Sequence, residues 1–132
     1  MGEPRWLSVQ LAEVLHDEQL AIYGGGSGLR DAGLLDSAVA RPRNKYAYEP
    51  DADLAPLAAS LAYRIIRNHP FIDGDKRTGD LCVRAFMFLN GFDYEPGQSE
   101  EVAIIQGVAA GEVSEDELAQ WIAANSNPRA GT

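Results

Sequence analysis

The chain has 132 residues, of which 45% are hydrophobic and 23% charged, the size and make-up of one ordinary globular domain rather than a disordered or fibrous chain. A net charge of −9 argues against non-specific nucleic-acid binding, which needs a basic face to displace counterions. No apolar run approaches the roughly 18–20 residues of a membrane span, and the N-terminus lacks the basic-then-apolar order of a signal peptide. The single Cys82 leaves no internal disulfide and no cysteine-based metal site, so a cytoplasmic protein with no membrane partner is expected.

Six helices are expected, with little or no sheet. Ser8 can cap a first helix over residues 8–23, with Leu11, Val14, Leu15 and Ile22 on one face. The run Gly24-Gly25-Gly26-Ser27-Gly28 ends it. No strand precedes that run and no Gly-Lys-Ser/Thr follows, so it reads as a flexible connector and not a phosphate loop. Asp31 can cap a second helix that Pro42 stops. The alternating aromatic stretch 44–50 then suits a short extended segment or hairpin arm.

A third helix runs from Asp53 to about Asn68, with Pro56 in its first turn. The fourth, Lys76 to Asn90, is almost wholly apolar from Leu81 onward and so is expected at the centre. Ser99 starts a fifth. Ser114 and Glu117 form a capping box for the sixth. Residues 1–125 make one domain in this reading, and 126–132 a disordered tail.

Five of the eleven basic residues fall between Arg64 and Arg84 of this acidic chain. A cluster of that kind suits an anionic ligand of limited size, although a solvated helix face produces one too. Within it lies HPFIDGDKRTG, residues 69–79. His69 can accept a proton near neutral pH, and Asp73 offers a hard carboxylate of the kind Mg²⁺ prefers. Gly74 lets the backbone turn with positive φ and lets a ligand approach. The loop then opens a helix, whose free N–H groups attract phosphate oxygens. Lys76 and Arg77 stand in that first turn, where basic groups oppose the helix dipole at a cost of about 0.3–1 kcal/mol each. A bound anion reverses the sign, and such breaks of a local rule mark functional sites. Asp75 reads as the N-cap. Zinc is not expected, because His16, the only other histidine, falls on the polar side of the first helix.

The loop resembles the Fic/Doc signature H-P-F-x-D/E-G-N-G/K-R, and Lys76-Arg77-Thr78 brings it closest to the Doc branch. Tyr23-Gly24-Gly25, Asp31…Gly33, Tyr46-Ala47-Tyr48-Glu49, Phe88-Leu89-Asn90-Gly91 and Gly111-Glu112-Val113-Ser114 are also Doc-like in order and spacing, so the resemblance spans roughly residues 7 to 122. It implies a compact all-α Fic fold of about six helices with at most a short hairpin flap. It also implies a nucleotide-dependent, kinase-like toxin of a toxin–antitoxin pair. Such a toxin moves a phosphate from ATP or another nucleoside triphosphate to a protein hydroxyl, with a translation elongation factor as target; the AMP-transferring Fic proteins are the alternative. Carried over, His69 is the base, Asp73 the Mg²⁺ ligand, and Gly74, Asp75, Lys76 and Arg77 the phosphate-holding segment. Lys45, Tyr46, Ala47 and Tyr48 lie in the segment that aligns the target peptide, and a small antitoxin lays a helix across the site.

Two positions depart from the family pattern. Asp80 stands where AMP-transferring members carry a second arginine, which favours phosphate transfer. Asp75 replaces the family asparagine. A carboxylate about 4 Å from a phosphate would meet repulsion of about 4 kcal/mol at an effective dielectric of 20. Three readings of Asp75 are therefore open: repulsion that weakens nucleotide binding, a second metal ligand, or a degenerate site. No S/T-x-x-x-E inhibitory helix is found at Ser8 or Ser114, so restraint is expected from outside the chain.

Overall fold

Helix α3, Leu54–Asn68, carries the most continuous buried surface. Leu57, Ala58, Ala59, Ser60, Leu61, Ala62, Ile65 and Ile66 are all buried, so small and branched apolar residues cover most of its circumference. A helix apolar nearly all round belongs at a centre. The computed structural model describes residues 2–130, and in it α3 packs against α2 (Ala32–Tyr48), α4 (Asp75–Leu89) and α6 (Glu115–Ala124). The centre is thus α3 and not α4, as the sequence suggested. Phe88 at the end of α4 is half exposed, because that end reaches the surface beside Arg129.

Helix α1 (Val9–Tyr23), α5 (Gln98–Ala109) and a two-stranded antiparallel sheet complete the fold. The architecture is mostly helical, with six helices among the described residues. Local side chains set several boundaries as expected. Ser8 accepts from Leu11 N–H, Asp31 accepts from Leu34 N–H, and Ser114 with Glu117 closes the capping box at α6.

Three expectations are corrected. Helix α2 does not stop at Pro42; it continues to Tyr48, so residues 44–48 are helical and not an extended arm. Proline normally breaks a helix by losing an N–H and crowding the preceding turn. Here its ring is buried in line with Leu35 and Ala38, and Tyr46 packs edge-on against Trp6 at 5.6 Å. That burial outweighs the lost hydrogen bond.

The expected apolar face of α1 holds for Leu11 and Leu15, which pack against the core, and fails for its other two residues. Val14 and Ile22 are 49% and 75% exposed, whereas Ala12, His16 and Gln19 are buried. The last correction concerns the expected disordered tail. Ser126–Pro128 forms β2, paired with β1 (Phe92–Tyr94) in the register Phe92↔Pro128, Asp93↔Asn127, Tyr94↔Ser126. Arg129 then anchors the end, its guanidinium 4.0 Å from the Phe88 ring centre and donating to Phe88 O. Residues 131 and 132 of the expected tail lie outside the described residues.

The α3/α4 crossing depends on Gly79. A Cβ there would lie 2.7 Å from Ile66 Cγ1 and 3.3 Å from the Ala62 carbonyl oxygen. Helix propensity alone favours alanine over glycine by about 1 kcal/mol. Overpacking of a tight crossing costs about 1–3 kcal/mol, so Gly79→Ala is expected to lower stability in a denaturant titration. A rise in stability would show that the two helices can part at no cost.

Candidate active site

The site begins where α3 ends. His69 caps the helix in the left-handed region, φ 52°, with its N–H on Ile65 O at 3.2 Å. It is the only non-glycine residue with positive φ among the described ones, and Pro70 forbids a further turn. Arg30 secures this end, donating from Nε to His69 O at 2.7 Å and from Nη2 to Asn68 O at 2.6 Å. A cation bonded to the last carbonyls of a helix complements its dipole.

Segment 28–31, which starts at the last glycine of the run expected as a flexible connector, runs beside the motif. Ile72 N–H bonds Gly28 O at 3.1 Å, while the N–H groups of Arg30 and Asp31 both reach Pro70 O. An isolated antiparallel bridge joins Leu29 to Phe71. The sequence missed this because the pairing is tertiary and backbone-mediated.

Beneath the loop lies the buried face of α1. Phe71 is buried, and His16 stacks on it with ring centres 3.8 Å apart and planes within 8°. His16 Nε2–H donates to the Asp73 carbonyl at 2.7 Å. So His16 is not on a polar, solvent-facing side; it props the motif. One helical turn on, the carboxamide of Gln19 is buried with neither polar atom hydrogen-bonded to the protein. It presses on Gly74, where any Cβ would run into it. Gly74 also has φ 78°, so glycine is required there twice over.

Gly74, not Asp75, is the N-cap of α4. Asp75 is the first helical residue, and its carboxylate turns back into the protein with only 6% of the residue exposed. Oδ1 accepts from Phe71 N–H at 3.0 Å, and Oδ2 lies 3.5 Å from His69 Nδ1. Burial pushes this carboxyl above its usual range, while the Phe71 N–H and His69 pull it back. Both oxygens are thus engaged within the loop, one by the Phe71 N–H and the other beside the His69 ring.

Asp73 is exposed, its Oδ1 accepting from Gly74 N–H at 2.9 Å and its Oδ2 from Gly26 N–H at 3.3 Å. Each oxygen keeps a lone pair. One such carboxylate beside a helix N-terminus fits Mg²⁺, which takes one or two carboxylates together with phosphates and water. Lys76 and Arg77 are exposed in the first turn, and Arg77 lies 4.1 Å over the ring of Tyr23.

His69, Asp73, Gly74, Asp75, Lys76 and Arg77 all line one pocket of about 710 Å³. Its far wall carries Asp80 and Arg84 of α4 and Glu101 of α5, with Arg84 and Glu101 paired at 2.7 Å. Lys45, Tyr46, Ala47 and Tyr48, expected as a flap, do not line it. They form the last turn of α2, where Lys45 pairs with Glu49 at 2.9 Å.

An imidazole, an exposed carboxylate and two cations thus converge on the N-terminus of α4, an arrangement that suits a phosphate. The family model described as Fic/DOC family matches residues 6–87. Among similar proteins, one named protein kinase doc, from Escherichia phage P1, is 32% identical over 119 residues, covering 89% of this chain and 93% of that protein. Another, named toxin Doc, from Mycolicibacterium smegmatis, is 34% identical over 106 residues, covering 76% of this chain and 80% of that one. The chain belongs to the Fic/Doc family.

Proposed function

We propose that the chain is a Doc-like toxin that transfers the γ-phosphate of a nucleoside triphosphate to a hydroxyl of a target protein. The observation that carries this reading is the single pocket holding His69, Asp73, Gly74, Lys76 and Arg77 at the N-terminus of α4. The relatives named protein kinase and toxin support it.

In this reading His69 takes the proton from the target hydroxyl as its oxygen bonds the γ-phosphorus. The bond from that phosphorus to the β–γ bridging oxygen breaks, and the nucleoside diphosphate leaves. Lys76, Arg77 and the free N–H groups of α4 hold the phosphate oxygens, where charge develops. Asp73 would hold Mg²⁺, which when bound neutralises phosphate charge. A partner antitoxin would lay a helix along the pocket, whose rim exposes Tyr23, Ile72 and Val102 to 62%, 59% and 53%.

The test is incubation with Mg²⁺, a cell lysate and ATP labelled at either the α or the γ position. Label transferred to protein from γ alone is expected. Label from α would make the chain an AMP transferase, and label from neither would make it a binding module with a dead site.

A further inference from the structure

The face of α1 that lies under the loop runs on past His16. Gln19 and Tyr23 stand three and seven residues after it, the spacing that keeps side chains on one side of a helix. His16 bonds the Asp73 carbonyl and the Gln19 carboxamide lies against Gly74. At the end of the same stripe the Arg77 guanidinium lies over the Tyr23 ring, its central carbon 4.1 Å from the ring centre. One side of α1 thus meets successive parts of the motif, and Gln19, Tyr23 and Arg77 all line the pocket. Two ties fix the end of the stripe. Gly24 N–H closes α1 on Leu20 O at 2.7 Å, and Gly26 N–H donates to Asp73 Oδ2 at 3.3 Å.

Among the described residues, no carboxylate or carbonyl takes the N–H groups of Arg77. Asp80, three residues on and within ordinary helical reach, has Glu101 and Arg84 as its charged neighbours instead. A carboxylate would hold this arginine by neutralising it and using up its donors. An aromatic face attracts the cation and leaves its charge and its five N–H groups available to a ligand.

We propose that Tyr23 is a positioning residue for Arg77, presetting its guanidinium for the phosphate oxygens of the nucleotide. This rests on the reading of the pocket as a phosphate site with Arg77 as one of its holders. An arginine free in solvent loses rotamer freedom when it grips an anion. Tyr23 imposes part of that order before the ligand arrives, so its effect is on affinity. The ring face does this, and the hydroxyl has no part in it.

The experiment is calorimetric titration of Mg²⁺–ATP and, separately, of Mg²⁺–triphosphate, which has no base or sugar, into the whole chain and its variants. Tyr23→Leu is expected to weaken both ligands roughly 2- to 5-fold, the size of a cation–π contact at an exposed site. Its melting temperature stays near that of the wild type, because Tyr23 is 62% exposed. Tyr23→Phe binds both ligands as the wild type does, since it keeps the ring face. In an Arg77→Ala background, Tyr23→Leu has no further effect, a coupling that a merely structural role would not produce. Full affinity in Tyr23→Leu overturns the proposal, as does a loss that persists without Arg77, or one as large in Tyr23→Phe. A loss for ATP with triphosphate spared also overturns it, making Tyr23 a stacking surface for the base. Should Arg77→Ala bind both ligands as tightly as the wild type, the reading of Arg77 as a phosphate holder fails as well. An Arg77→Ala loss beside an unaffected Tyr23→Leu sinks the role of Tyr23 alone.

Discussion

Replacing His69 by alanine is expected to cut phosphate transfer by about 10²–10⁴-fold, the usual cost of losing a general base, while leaving the fold intact. The structural reason for the second half is specific. The ring is 58% exposed, so its removal opens no core cavity, and the helix cap it provides uses only its backbone N–H on Ile65 O. Histidine and alanine both carry a Cβ, so the left-handed φ of 52° strains either and the substitution adds only a small cost there. One loss remains: Asp75 Oδ2 is left buried without its neighbour, which costs about 1 kcal/mol. A drop in melting temperature of a few degrees is therefore expected, with circular dichroism unchanged. Near-normal γ-phosphate transfer by the variant would remove His69 from the chemistry. Unfolding would make its role structural.

This loop was legible in the sequence because its chemistry is local. Pro70 forces the break after His69, Gly74 supplies the positive φ, and the residues that surround the pocket mouth are nearly consecutive. The caps at Ser8, Asp31 and Ser114 were legible for the same reason, since each bonds a backbone N–H three residues on.

What the sequence hid is tertiary. His16 bonds a carbonyl 57 positions away, and Arg30 caps a helix 38 and 39 positions away. Helical periodicity, which ranks faces by apolar content, found Leu11 and Leu15 but missed His16 and Gln19, which are buried on α1 because they serve a polar loop. Pro42 misled through the same gap: its local cost is real, and only packing against the core shows that it is outweighed. The orientation of Asp75 turned on a one-residue shift of the cap, within the ordinary uncertainty of helix ends. That shift turns its carboxylate back onto the Phe71 N–H instead of the free N–H groups of its own helix.

The pocket's far wall predicts an unusual dependence of stability on pH. Asp80 Oδ1 is buried without a partner, and burial is the largest cause that pushes this carboxyl up, to about 8, with the hydrogen bond and charge of Glu101 adding to it and Arg84 opposing. In the unfolded chain the group titrates near 3.8. Between those two values the folded protein holds a proton that the unfolded chain does not, so this group's contribution to stability falls as pH rises. It is fully present below about 4 and lost by about 8, opposite in sign to the usual salt-bridged aspartate.

Asp80→Asn cannot titrate and keeps the shape of the side chain. The variant should match the wild type near pH 4.5 and exceed it at pH 8.5. Each pKa unit corresponds to about 1.4 kcal/mol, and solvent at the open pocket wall screens much of the nominal shift. A gain of roughly 2 kcal/mol at the alkaline end is expected, or several degrees in melting temperature. Subtracting the two curves isolates Asp80 from the other carboxylates. Parallel curves, or a variant less stable at pH 8.5, would show that Asp80 is ionised in the fold at neutral pH. The same proton bears on the proposed function: with Asp80 and Glu101 sharing it, Arg84 balances the one remaining charge, and this wall of the pocket does not repel a nucleotide near neutral pH. Once the proton is lost the wall carries an excess negative charge, so affinity for ATP should weaken above pH 8 in the wild type and hold in Asp80→Asn.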